Sequence, residues 1–389
     1  MADAARTVKH YVSDCLDERH PYDVQKGFGG QRERDAGKVF DGLDGADALL
    51  DSLVDTSLSH EEKAKAAHYL YSRSASQEEK ITLLEKSCVS KVVGCLRMSK
   101  FPLLEQQCFQ ILRSLCILPQ GCYYVVNCGG VEAMVNSLVN QSMTEERVDA
   151  RVAAAQALFQ LCANTTGLRW VLKAEECEDF IPETFADTRC APVEPGVVVH
   201  SIGTVLDGET PGTKLSQLLL GTLSQILLLA PGIFAVLHYK ELFMKVLVNC
   251  LQFISDVGVL RQQKEYAKHL FTALWNLEMD QSGVEAVEEV DIPSKLFVIF
   301  SLFCDAPDVV DFEIQRVVMG AISASYKLTS VKQASLTVSS NNKTRIVRLL
   351  DYLRKINDVE KAQKQESGKA KNNTVAILKN SVQCVRLSF

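Results

Sequence analysis

Four times along the chain an aliphatic residue is followed six positions later by glycine: Leu115 and Gly121 in SLCILPQG, Leu161 and Gly167 in QLCANTTG, Ile226 and Gly232 in QILLLAPG, Leu277 and Gly283 in NLEMDQSG. A second aliphatic stands three residues ahead of each anchor, at Leu112, Leu158, Leu223 and Leu274. Residues three apart share one helical face, so each copy predicts a helix with a buried stripe. The glycine is expected to end that helix, because helices commonly terminate at a residue with positive φ, which costs glycine little. A further apolar run follows, as in Gly129 to Leu138, again with the spacing of a helix carrying one apolar stripe. The pattern predicts helix pairs and no strands.

A divergent first copy runs from Lys65 to Leu96, with Glu79 at the offset that glycine holds elsewhere. The leading aliphatics fall at Leu70, Leu112, Leu158, Leu223 and Leu274, with Ile322 as a sixth, in steps of 42, 46, 65, 51 and 48. Most of these match or approach the period of about 40 to 47 residues found in helical repeat arrays. The longest step predicts an insertion at 187–212. There three prolines and four glycines surround Val197 to Ile202, which reads as a protruding loop or short hairpin, either a tolerated surface insertion or a partner contact. Ser59 ahead of Glu62 and Ser76 ahead of Glu79 have the spacing of helix N-terminal capping boxes.

On these residues the chain resembles the armadillo family, most of all in EQQCFQILRSLCILPQGCYYVVNCGGVEAMVNSL (Glu105 to Leu138) and YAKHLFTALWNLEMDQSGVEAVEEVDIPSKLFVIF (Tyr266 to Phe300). The resemblance covers 46–358 and implies an all-α, armadillo-like right-handed α-solenoid of about six repeats, flanked by an N-terminal arm at 1–45 and a tail at 359–389. It further implies a non-enzymatic protein-binding scaffold whose stacked repeats offer an extended concave surface. Armadillo proteins include import adaptors, adhesion proteins, exchange factors and axonemal components, so the fold leaves the partner open. The import adaptors' ladder of Trp followed four residues later by Asn is missing, since Trp170 is followed by Ala174 and Trp275 by Met279. Similarity to the armadillo proteins of motile axonemes, radial-spoke components among them, implies a structural part of a large cytoskeletal assembly. The alternative is a regulator or adaptor that transiently binds a soluble client such as a chaperone or enzyme.

Outside the repeats, Arg19 to Gly30 reads as an extended, turn-rich arm. Tyr22 and Phe28 are candidate anchors on a partner, the alternative being packing onto the chain's own solenoid. The Gly27 to Gly30 cluster lacks the Lys-Ser/Thr that a phosphate-binding loop requires. From Lys343 to Phe389, eleven Lys or Arg against four Asp or Glu give +7, which leaves −13 on 1–342. Lys361, Lys364, Lys369 and Lys371 lie in a polar stretch that is either a solvated tail or an attachment to an acidic surface such as tubulin tails. Nucleic acid is not the expected partner. Thr374 to Phe389 turn apolar again.

No catalytic, cofactor or metal residues are assigned. The seven histidines are scattered, and no G-x-S-x-G, H-E-x-x-H or dinucleotide-binding glycine pattern is present. Paired acids at Glu61-Glu62, Glu78-Glu79, Glu145-Glu146 and Glu175-Glu176 are explained by helix starts, where negative charge complements the dipole. Thirteen cysteines without a C-x-x-C pair are expected to be reduced thiols; Cys116, Cys122 and Cys128 recur every six residues, but no neighbouring histidine completes a zinc set. The apolar run from Ile226 to Ile233 is interrupted by Pro231 and Gly232 and is far shorter than the roughly 20 residues of a membrane span. The charged opening residues do not form a signal peptide, so a cytoplasmic location without membrane insertion is expected, with cytoskeleton or cilium as the finer reading.

Overall fold

The structure, a computed structural model, describes residues 45–140, 145–174, 193–254, 256–293, 295–296 and 298–299. The arm through residue 44 and everything from residue 300 on, including Ile322 and the basic tail, lie outside the described residues. All regular structure among the described residues is helical.

The chain enters through α1 (Gly45–Val54) and then repeats a three-helix unit. The first unit is α2 (His60–Arg73), α3 (Gln77–Glu85) and α4 (Cys88–Met98); the second is α5 (Pro102–Leu115), α6 (Pro119–Asn127) and α7 (Gly130–Val139). The third is α8 (Glu145–Ala163), α9 (Thr165–Val171) and α10 (Pro195–Gly208); the fourth is α11 (Lys214–Ile226), α12 (Ala230–His238) and α13 (Lys240–Phe253). A single-turn connector, α14 (Val257–Gln262), precedes α15 (Lys264–Leu277) and α16 (Gln281–Glu289), after which residues 292–293, 295–296 and 298–299 are helical. Helix pairs were expected; the unit is a triplet, because the nine residues of α6, α12 and α16 form separate short helices where the sequence suggested only a turn.

The long helices α2, α5, α8, α11 and α15 pack side by side in that order, and α1, α4, α7, α10 and α13 form a second layer behind them. Short helices close the third side, α6 against α9 and α12 against α16. One continuous apolar cluster runs from Ala46 to Ile299. Each leading aliphatic, Leu70, Leu112, Leu158, Leu223 and Leu274, is fully buried, a burial that stabilises by about 1.5–3 kcal/mol per side chain.

The recurring glycines do mark the bend, for a reason other than the expected one. Gly121, Gly167, Gly232 and Gly283 each occupy the third position of a short helix and none has positive φ. A Cβ on Gly121 would lie 2.0 Å from the carbonyl oxygen of Leu115, so glycine is needed for close approach of the short helix to the end of the long one. The left-handed residue comes later, where short helix passes to second-layer helix: Ser87, Gly129, Lys173 and Asp291 hold φ of 57°, 84°, 50° and 54°. Proline follows the same architecture, standing in the first turn of α5, α6, α10 and α12, where its missing N–H has no helical partner to lose.

The expected hairpin around Val197 to Ile202 is a helix. Residues 195–208 form α10, and Val198, Val199, Ile202, Val205 and Leu206 face inward at helical spacing. Gly203 lets α10 approach α13 so closely that a Cβ there would meet Leu242 at 2.8 Å. Packing between second-layer helices thus overrides the strand preference of the Val-Val-Val run. The extra length of this repeat falls between Val171 and Pro195, where residues 175–192 lie outside the described residues. At the other caps, Ser59 and Glu62 form the complete reciprocal box. Ser76 accepts from the Glu79 backbone, but the Glu79 carboxylate is taken by Arg73, whose Nε and Nη2 reach it at 3.1 Å.

Candidate protein-binding surface

Because the leading aliphatics turn inward, the residues two positions to either side of them turn toward the open side of the long-helix layer. Two before stand His68, Gln110 and Gln156; two after stand Ser72, Ser114, Gln160, Gln225 and Asn276. All are exposed or half-buried. The layer therefore presents a row of carboxamides and hydroxyls two positions after the leading aliphatics, with one member per repeat, and a shorter polar row two positions before them that is interrupted at Gly221.

Part of this set ties neighbouring repeats together. Ser114 donates to the Ser74 carbonyl at 2.9 Å and Asn276 donates to the Ser224 carbonyl at 2.8 Å, each satisfying a carbonyl at the end of the preceding long helix. Asn164 does two jobs: it caps α9 through Oδ1 and donates from Nδ2 to the Ile117 carbonyl at 3.4 Å. That role accounts for an Asn at a position whose triplet otherwise reads as a glycosylation signal. Across the face, Arg113 donates to Gln156 Oε1 at 3.1 Å and His68 Nδ1 lies 3.2 Å from Gln107 Oε1. Gln107 and Gln156 still carry two amide N–H donors each.

Midway along, the face changes character. Gly221 on α11 leaves room for Phe159 from α8 and His269 from α15 to meet edge-to-face, their rings 5.8 Å apart. Burial lowers the His269 pKa from its ordinary value, opposed by Glu265 and reinforced by Lys268 and Lys214. Trp275, on the same helix as His269, packs half-buried against the core. None of these residues was assigned from the sequence. The available signal was the polar residue two positions after each leading aliphatic; the Phe159–His269 contact has no local signature.

At the opposite end of the long helices a pocket of about 230 Å³ is lined by Arg97, Glu105, Glu132, Asn136 and Arg147 among others. Its charges are largely paired: Arg147 meets Glu105 Oε2 at 2.5 Å and the Lys100 carbonyl at 2.8 Å, and Arg97 meets Glu132 at 3.5 Å, while the buried Glu105 Oε1 has no hydrogen-bond partner. We read this as a clamp between repeats. The cysteines of the described residues are buried in the core: Cys122 Sγ donates to the Cys116 carbonyl at 3.1 Å, and the hydrogen bond that the Cys116 thiol gives to Cys122, together with burial, pushes the Cys116 pKa well up. Among the described residues no group of three His, Cys, Asp or Glu is placed to hold a metal ion, and no helix is long and apolar enough to cross a membrane. Tyr22, Phe28, Lys361, Lys364, Lys369 and Lys371 lie outside the described residues.

No protein-family model matches the chain, and no curated protein matches it. Solved structures do. An engineered protein is similar over 73% of this chain and 97% of its own, with a TM-score of 0.55 and 16% identity. A designed armadillo repeat protein in complex with the peptide (KR)4 covers 72% of this chain and 98% of its own, with a TM-score of 0.52 and 14% identity. A structure concerned with a phosphorylation switch in the interaction between cadherin and beta-catenin aligns with 86% of this chain and 51% of its own, with a TM-score of 0.55 and 14% identity. At such identities these likenesses speak to fold, and the fold is that of an armadillo-repeat α-solenoid.

Proposed function

We propose that this chain is a non-enzymatic protein-binding scaffold that holds an extended polypeptide along the open side of its long-helix layer. The observation that carries the reading is the row of carboxamides, Gln110, Gln156, Gln160 and Gln225, repeated at fixed offsets from the buried leucines. A carboxamide both donates and accepts, which matches the alternating N–H and C=O of an extended backbone. The designed armadillo repeat protein in complex with the peptide (KR)4 supports a peptide as the ligand of this fold. The test selects random peptides on the immobilised chain and then measures them against Gln110→Ala, Gln156→Ala and Gln160→Ala combined. At roughly 0.5–1.5 kcal/mol net per hydrogen bond, affinity should fall at least tenfold with the unfolding midpoint unchanged. Equal affinity would reject the surface.

Within that class the reading is a structural component of a stable cytoskeletal assembly, with the ciliary axoneme and its radial spokes as the specific setting. The +7 carried by residues 343–389 supports attachment to an acidic surface such as tubulin tails, through Lys361, Lys364, Lys369 and Lys371, with Tyr22 and Phe28 as anchors at the other end. A tagged full-length chain should remain in a salt-resistant cytoskeletal fraction and leave it when residues 1–45 and 359–389 are deleted. Extraction at low salt with a single soluble client would instead make it a transient regulator.

A further inference from the structure

Five residues after each leading aliphatic, at the corner between long and short helix, stand Ile117, Ala163, Leu228 and Met279. Three of them are large and open to solvent, Ile117 at 50%, Leu228 at 55% and Met279 at 69% exposed, and Ala163 is exposed as well. Single exposed apolar residues are ordinary, but one at the same corner of four successive repeats makes a ridge. Its corners are physically joined where Asn164, next to Ala163, bonds the Ile117 carbonyl. With long helices packed about 8–10 Å apart, the ridge from Ile117 to Met279 is about 24–30 Å long.

The chain itself contains a segment of matching design. Val375, Leu378, Val382, Val385 and Phe389 are spaced three, four, three and four residues apart, the narrow apolar seam of a helix that packs along one line. At 1.5 Å per residue that seam extends about 21 Å. Lys379 and Arg386 flank it and can keep their charges in water while their stems cover apolar surface. Residues 300–374 give the segment ample reach, and the +7 of residues 343–389 is attracted to the −13 carried by 1–342.

We propose that residues 374–389 dock as an amphipathic helix along the corner ridge formed by Ile117, Ala163, Leu228 and Met279 of the same chain. The ridge lies just beyond the polar row, the Ile117, Leu228 and Met279 N–H groups bonding back to the carbonyls of Ser114, Gln225 and Asn276, but the proposal rests on the exposed apolar corners and not on the peptide-binding reading. A second set of exposed apolar residues, Met98, Leu103, Val139 and Val148, lies at the opposite corners but is confined to α4 through α8. It does not continue along the C-terminal repeats and so offers the shorter track.

Limited trypsin digestion of the full chain tests the docking, because cleavage after Lys379 and Arg386 requires the segment to be free. Leu228→Glu combined with Met279→Glu changes only exposed positions and should accelerate both cleavages at least tenfold with the far-ultraviolet dichroism preserved. Val382→Glu combined with Val385→Glu should do the same from the other side of the contact. Cleavage of the parent as fast as that of either variant would overturn the proposal. So would acceleration by Met98→Glu combined with Val139→Glu when the Leu228 and Met279 pair has no effect.

Discussion

Gly121 faces the carbonyl oxygen of Leu115 at a separation that a methyl group would reduce to 2.0 Å. Gly232 and Gly283 stand in the same relation to Ile226 and Leu277, also at 2.0 Å, and Gly167 to Leu161 at 2.3 Å. Both sides of the contact are backbone, so no rotamer change relieves it. The close fit brings each short helix onto the end of its long helix and fixes the angle at which the repeat folds back.

It follows that Gly121→Ala and Gly232→Ala each destabilise the chain by about 3 kcal/mol, the upper range for overpacking. Gly94, inside α4, has nothing within 4 Å of where its Cβ would lie. There the same change should stabilise by about 0.5–1 kcal/mol through helix propensity alone. Urea unfolding midpoints measured side by side would show the opposite signs; equal effects at Gly94 and Gly121 would remove the steric explanation.

Much of the architecture was legible because the anchor and the glycine sit within six residues of each other, so one local phrase records a tertiary contact. The short helices were not, since nine residues give too few turns for periodicity to separate them from a bend. Val197, Val198 and Val199 misled for another reason: β-branched residues favour strands in isolation, whereas here α7 and α13 on either side of α10 decide the outcome. The carboxamide rows were present in the register of Gln160, Gln225 and Asn276, but a polar residue on an exposed helical face carries no local mark of function. Phe159 and His269 come from helices separated by all of α11, and only stacking brings them together.

Arg147 and Glu105 are nearly buried, with side chains 7% and 5% exposed, and Arg147 also satisfies the Lys100 carbonyl. Removing one partner strands the other charge away from water. Arg147→Ala should therefore cost about 3–5 kcal/mol, whereas Arg147→Met combined with Glu105→Leu should restore most of that loss. The comparison by chemical denaturation is a double-mutant cycle, and additive effects would show that the two side chains do not act as a pair.

Because burial lowers the pKa of His269, the folded chain resists a proton that the unfolded chain accepts from about pH 6.5 downward. Stability should fall as the pH drops below that value and level off once the folded histidine is protonated too. The groups facing the ring are Phe159 on α8, Lys214 on α11, and Glu265 and Lys268 on its own helix. His269→Phe keeps a ring against Phe159 and removes the titration, so its unfolding midpoint should change less than the parent's between about pH 7.5 and 5.5. An identical pH dependence in both proteins would assign the effect to other groups.

The cysteines of the described residues, from Cys88 to Cys250, are all buried and outside any disulfide. Burial pushes Cys88 and Cys162 up to about 12 and Cys250 up to about 11, and Cys108 stands well above the ordinary thiol value. Cys95 differs: a hydrogen bond from Cys108 stabilises its thiolate and lowers its pKa. Since the thiolate is the reactive form, alkylation of the folded chain with iodoacetamide at about pH 8 should spare Cys88, Cys108, Cys162 and Cys250, and Cys95 should react ahead of them. In urea all should be modified within minutes. Peptide mapping by mass spectrometry reads each site separately, and rapid native labelling of Cys88 or Cys162 would mean that the interior shared by the first three repeats opens far more readily than its packing requires.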